Sequence, residues 1–176
     1  MKILNGAVTA YSMPEDGAEA QSAFLAVLHS PEDTYLEDYG FALKELYDEI
    51  KKADDAGVVV HIMIDHLQAC GHTEKPMVKE LSEYLKHGDI TITTAGPEAQ
   101  KSSEIAHRKR IMDLAGNVAL GSVNASHDGF FSQTNDMISF NDIEYVKSAI
   151  ERFKVRQAWA RVHLKEAQVM LLKELH

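Results

Sequence analysis

Apolar and polar positions along this 176-residue chain change their period several times, and the changes divide it into alternating strands and helices. A β-favouring run over 3–11 stops at Ser12-Met13-Pro14, where the proline and the following Asp16-Gly17 end an extended segment. Over 17–29, Ala20, Phe24, Leu25 and Leu28 recur at helical spacing until Ser30-Pro31 breaks the pattern. Residues 34–41 predict a strand, and Leu43, Leu46, Tyr47 and Ile50 predict a helix that Gly57 terminates. The run VVVHIMI over 58–64 is almost unbroken in its apolar character, as in a strand covered on both faces within a parallel sheet. A helix from Thr73 through Leu85, closed by Gly88, and a strand over 90–94 complete a β-α-β rhythm, and a polar loop over 95–104 follows.

The last third adds a short strand over 137–140 and a long helix that Asn141 or Asp142 is placed to cap. That helix is expected to run to His176 without a glycine or proline. Val146, Ile150, Phe153, Ala160, Leu164, Ala167 and Leu171 share its apolar face, and Val155, Trp159 and Val162 widen it. The whole chain reads as one α/β domain over 1–176, with 142–176 a C-terminal helix extending beyond the core.

Composition narrows the function classes. Hydrophobic residues make up 45% and charged residues 26%, and no run approaches the roughly 20 apolar residues of a membrane span. Integral membrane association is therefore not expected, and the start of the chain does not read as a secretory signal. Cytoplasmic placement is the expectation, and the single cysteine, Cys70, fits a reducing compartment. The net charge of −9 is carried by residues 1–66, with 13 Asp/Glu against 4 Lys/Arg, whereas 67–176 hold 14 of each. Overall acidity disfavours strong non-specific nucleic-acid binding, but Arg108, Lys109 and Arg110 lie in the balanced part. So do the basic residues of the last helix, Lys147, Arg152, Lys154, Arg156, Arg161 and Lys165, which are expected on a solvated face.

The chemistry concentrates between His107 and Asp136. A phosphodiester needs positive charge around its non-bridging oxygens, a nucleophile in line with the leaving oxygen, and an acid for that oxygen. Neutral imidazole at His107 can attack phosphorus and later depart. Lys109, two residues on and on the same strand face, supplies a point charge. Asn124 offers amide donors, Ser122 adds a hydroxyl, and Gly121 allows close backbone approach. Arg108 and Arg110 point to the opposite face and are expected to be solvated or ion-paired. His61, Asp65, His66 and His72 match no strong metal signature, so no metal site and no cofactor are expected; Asp65-His66 lines the cleft at a strand's end. His127 is an alternative in-chain general acid.

His107-x-Lys109 followed by Gly121-Ser122-x-Asn124, with Gly121 twelve residues after Lys109, resembles the phospholipase D superfamily motif. AYSMPEDG, Tyr39-Gly40-Phe41, VVVHIMID and the closing helix with Phe153 and Trp159 extend the resemblance over roughly 7–160. The single copy is similar to the short single-motif nucleases of that superfamily. The resemblance implies a mixed, mostly parallel sheet flanked by helices and a metal-independent phosphodiesterase with a phosphohistidine intermediate. It further implies a homodimer whose second His107 serves as general acid, with nucleic acid as substrate. The motif's usual acidic position after the lysine holds Leu114, with Asp113 one residue earlier, and Asp136 stands in for the glutamate that normally orients the histidine. Lys109, Ser122 and Asn124 are the phosphate-binding candidates. A phospholipid or small-diester hydrolase on the same site, and a non-catalytic scaffold, are the competing readings.

Overall fold

A computed structural model describes residues 7–71, 74–94 and 106–164. A seven-stranded sheet organises the domain, in the order β1-β7-β6-β5-β2-β3-β4. The strands are β1 (Thr9–Met13), β2 (Thr34–Asp38), β3 (Val60–Asp65), β4 (Asp89–Thr93), β5 (Arg110–Asp113), β6 (Asn117–Gly121) and β7 (Asn135–Asn141). β2, β3 and β4 are parallel neighbours, and the remaining pairings are antiparallel. All strands except β5 and β7 therefore point the same way, so the sheet is mixed, with most strands sharing one direction. It is flanked by helices α1 (Gly17–Ala26), α2 (Lys44–Asp55), the single turn α3 (His66–Ala69), α4 (Glu74–Tyr84), α5 (His127–Phe131) and α6 (Ile143–His163).

Alternation along each strand sends successive side chains to opposite faces, and this sheet has a separate core on each. Leu36, Ile62, Ile64 and Ile111 pack beneath α1, α2 and α4 through Phe24, Leu46, Ile50 and Leu81. Tyr35, Met63, Met112 and Val118 face the other way and meet Val146, Ile150 and Phe153 of α6. Covering on both faces is why β3 reads as an apolar run rather than as an alternation. Asp142 caps α6, accepting the backbone N–H groups of Glu144 and Tyr145. Asp54 at the end of α2 accepts three successive N–H groups, from Lys86, His87 and Gly88, and so fixes the approach to β4.

The last helix departs from its sequence reading. It ends at His163, with Leu164 out of helical geometry, and the expected continuation over 165–176 lies outside the described residues. Val155 and Val162 are not part of the apolar face, being 60% and 62% exposed. Arg156, expected on a solvated face, is 1% exposed and ion-paired to Glu37 of β2. The reason is angular: Arg156 lies three residues from Phe153 and four from Ala160, on the stripe that faces the sheet, whereas Val155 is turned away from it. The first strand also begins later than expected, at Thr9; residues 1–6 lie outside the described residues.

Candidate active site

The sheet's register gathers the candidate residues at one end. Glu37 pairs with Arg110, which sets the exit of β2 beside the entry to β5. Gly121 at the end of β6 is opposite Met137, and its N–H donates to the carbonyl of Lys109. The exits of parallel strands β2 and β3, the entry to β5 and the exit of β6 therefore share an edge, the position at which open α/β sheets present ligand-binding groups. Asp113 belongs to the other end of β5. It is fully buried and accepts the N–H and side-chain amide of Asn117, closing the β5–β6 turn.

His107 and Lys109 precede β5 rather than lying within it, but they meet on one aromatic ring. The His107 imidazole stands edge-on to Tyr39, with centroids 4.8 Å apart, and Lys109 Nζ lies 5.2 Å from the centre of the same ring. Lys109 is 5% exposed while His107 is open to solvent. Burial lowers the Lys109 pKa and the charge of Asp38 pulls it back up. For His107, burial and then the Lys109 charge lower the pKa, with Asp65 opposing them. An imidazole held below its ordinary pKa is neutral at pH 7, the form that can act as a nucleophile.

Asp38, at the end of β2, lies beneath Lys109. Burial pushes its carboxyl well above the usual range; the N–H groups of Ala125 and Gly40 and the Lys109 charge draw it down. By binding both N–H groups, Asp38 ties the turn after β2 to the loop after β6. Asn124 in that loop packs on Gly40, where an added Cβ would come within 3.0 Å of its side chain. Its Oδ1 is buried without a partner among the described residues.

Ser122 and Asp136 are both engaged in contacts between strands. The Ser122 hydroxyl accepts the Asp136 N–H at 3.0 Å and donates to Asn135 Oδ1 at 3.1 Å, so it already joins β6 to β7. The Asp136 carboxylate accepts the Ser12 hydroxyl at 2.9 Å, across the β1–β7 pairing. His66 opens α3, His61 bonds Asp89 and stacks on Tyr35 on the α6 side, and His127 contacts Phe131; His72 lies outside the described residues. Among the described residues no three His, Cys, Asp or Glu side chains converge as a metal site requires.

Gly121 is the tightest point of the arrangement. A Cβ there would stand 2.1 Å from the carbonyl oxygen of Asp136, a backbone atom that cannot swing aside. Gly121→Ala is therefore expected to destabilise the protein by roughly 1–3 kcal/mol, as overpacking does. Urea unfolding, read together with the loss of any phosphate binding, checks it.

Arg110 was expected to be solvated or ion-paired, and it is ion-paired. It and Arg156 share the carboxylate of Glu37 on the α6 side, directly behind Asp38 and Lys109. The convergence of Arg110 and Arg156 on Glu37 has no signal in the sequence, and Tyr39 is marked there only as part of Tyr39-Gly40-Phe41. Asp65 is legible in the sequence as a strand-end group, whereas Asp38 falls inside the strand expected over 34–41 and becomes its last residue only in the structure.

No protein-family model matches the chain, and no curated protein matches it. Solved structures do. NucT from Helicobacter pylori is similar with a TM-score of 0.79 at 16% identity, covering 88% of this chain and 98% of that one. Nuc from Salmonella typhimurium, a phospholipase D family member, gives 0.74 at 18% identity over 88% and 96%. The phosphatidylserine synthase of Haemophilus influenzae gives 0.65 at 12% identity over 89% of this chain and 40% of that one. The chain has the phospholipase D fold, with its mixed sheet between helices and a long final helix. Its overall architecture matches those of NucT and Nuc over 98% and 96% of their chains.

Proposed function

We propose that this protein is a phosphodiesterase that cleaves nucleic acid, using His107 as nucleophile. The observation that carries this reading is the pairing of a solvent-open imidazole, held below its ordinary pKa, with a buried ammonium on one tyrosine ring at the sheet edge. In the reaction, His107 attacks phosphorus, the bond to the leaving oxygen breaks, and a phosphohistidine forms that water then hydrolyses. Lys109 faces the non-bridging oxygens. Asn124, whose Oδ1 is turned inward, keeps its amide N–H groups for the anion, and Ser122 joins them if its hydroxyl exchanges Asn135 for phosphate. The proton for the leaving oxygen comes from His107 of a second copy, since the described part of one chain places no other histidine against His107. Asp136 is assigned to orient an imidazole across that pairing. Likeness to NucT and Nuc supports nucleic acid as the substrate class.

The test is cleavage of single-stranded DNA, RNA and a phospholipid in EDTA. Cleavage of a nucleic acid that persists in chelator supports the reading; preference for the lipid moves it to a headgroup hydrolase, a reading favoured by the acidic surface and the synthase neighbour. Activity that chelator abolishes, or no cleavage with tight DNA binding, removes it. The pH profile follows from the His107 shift. Because the attacking imidazole must be neutral and its pKa is lowered, the acid limb of kcat is expected below pH 6.5, the ordinary histidine value. A limb above 6.5 would contradict that assignment.

A further inference from the structure

His107 needs an acidic neighbour, because its ring gains a positive charge when it is protonated or phosphorylated. Asp136 is hydrogen-bonded to Ser12 at the β1 edge, and among the described residues the charges felt at His107 are those of Lys109 and Asp65. Asp65 closes β3 and is 1% exposed. One carboxylate oxygen accepts the N–H of Leu67 at 2.9 Å, capping α3; the other accepts the N–H of Ala106 at 2.6 Å. Ala106 is the residue immediately before His107. The buried carboxylate thus grips the backbone from which the imidazole projects, while Tyr39 supports the ring itself.

We propose that Asp65 is the positioning residue of His107, holding its backbone through Ala106 and supplying the negative charge that offsets the charged imidazole. Charge-assisted hydrogen bonds to backbone N–H groups are short and strong, which suits a clamp on a residue that must stay aligned with phosphorus. The carboxylate's field acts in a poorly solvated place, so it favours the cationic ring more than a surface acid would. Among the described residues, the groups facing His107 are Lys109 from the lead to β5, the Tyr39 ring after β2, and Asp65 from β3; Asp38 faces Lys109. Among the charged groups of the described residues, Asp65 is the one that favours the protonated ring. The inference rests on His107 being the nucleophile.

The experiment follows the His107 ring by NMR through a pH titration and measures diester cleavage over the same range. Two variants are used: Asp65→Asn, and Asp65→Ser, which retains the ability to cap α3 but has neither the charge nor the reach to Ala106. Expected are a His107 titration displaced to lower pH, an acid limb of kcat displaced with it, and kcat reduced roughly 10- to 100-fold, the scale seen when an outer partner of a site residue is removed. If both variants fail to fold, the wild-type Ala106 amide decides: slow exchange and a low-field proton are expected of a clamped N–H, and fast exchange overturns the proposal. An unmoved His107 titration in folded variants also overturns it, as does a displacement caused by Asp136→Asn and not by Asp65→Asn. A displaced titration in a protein that cleaves no diester supports the placement of Asp65 and instead removes the phosphodiesterase reading.

Discussion

His107→Asn is expected to abolish diester cleavage, by about 10^4-fold or more, while leaving the fold intact. The substitution removes the atom that would bond phosphorus and replaces the ring with a smaller polar group at a solvent-open position, so little packing is lost. The Tyr39 contact is the main interaction sacrificed, and edge-on aromatic pairs contribute only about 0.5–1.5 kcal/mol. Unchanged thermal unfolding together with lost turnover is the predicted combination. Acid-labile labelling should disappear as well: rapid quench of the wild type with a labelled diester is expected to leave phosphate on the protein, and the variant none. Turnover surviving in the variant, or label persisting, would place the nucleophile elsewhere.

Glu37→Ala is expected to produce the largest loss of stability, about 3–5 kcal/mol, because it strands two guanidinium groups in the space between the sheet and α6. Arg110 and Arg156 converge on this one carboxylate, all three are buried, and Arg156 Nη1 already lacks an acceptor among the described residues. Burial lowers the Arg156 pKa, Glu37 raises it, and the charges of Arg108 and Arg110 lower it further. For a chain of this length such a loss corresponds to a Tm lower by roughly 10 °C. Removing all three charges together, as in Glu37→Met with Arg110→Leu and Arg156→Leu, should restore much of it, since an apolar replacement leaves no uncompensated ion. A single variant no less stable than the wild type would show that the cluster contributes nothing. Glu37 and Arg110 adjoin Asp38 and Lys109 in sequence, so loss of the cluster is also expected to loosen the site edge.

The sequence carried the site's chemistry further than it carried the site's support. His107, Lys109 and Asn124 were readable because a spaced motif marks them, and the fold brings them to one sheet edge. Ser122 shares the motif but spends its hydroxyl on Asn135 and Asp136, a cross-strand contact that no local pattern announces. Asp136 accepts a hydrogen bond from Ser12, more than a hundred residues away, a contact that the motif does not announce. Arg156 was assigned to solvent because arginines on a helix usually are, and a buried glutamate on β2 overrode that preference.

What the sequence determined by itself is periodic or local: the apolar run that becomes β3, the helical spacing of α1 and α2, and a cap for α6 at Asn141 or Asp142. These depend on neighbours within a few residues, where spacing and propensity act directly. Tertiary structure alone decided which acidic residue meets which partner. Asp38 beneath Lys109, Asp65 on Ala106, and Glu37 between two arginines all join residues far apart in the chain, through strand register and burial. Electrostatic support of this kind depends on distance and dielectric in space, and sequence separation conveys neither.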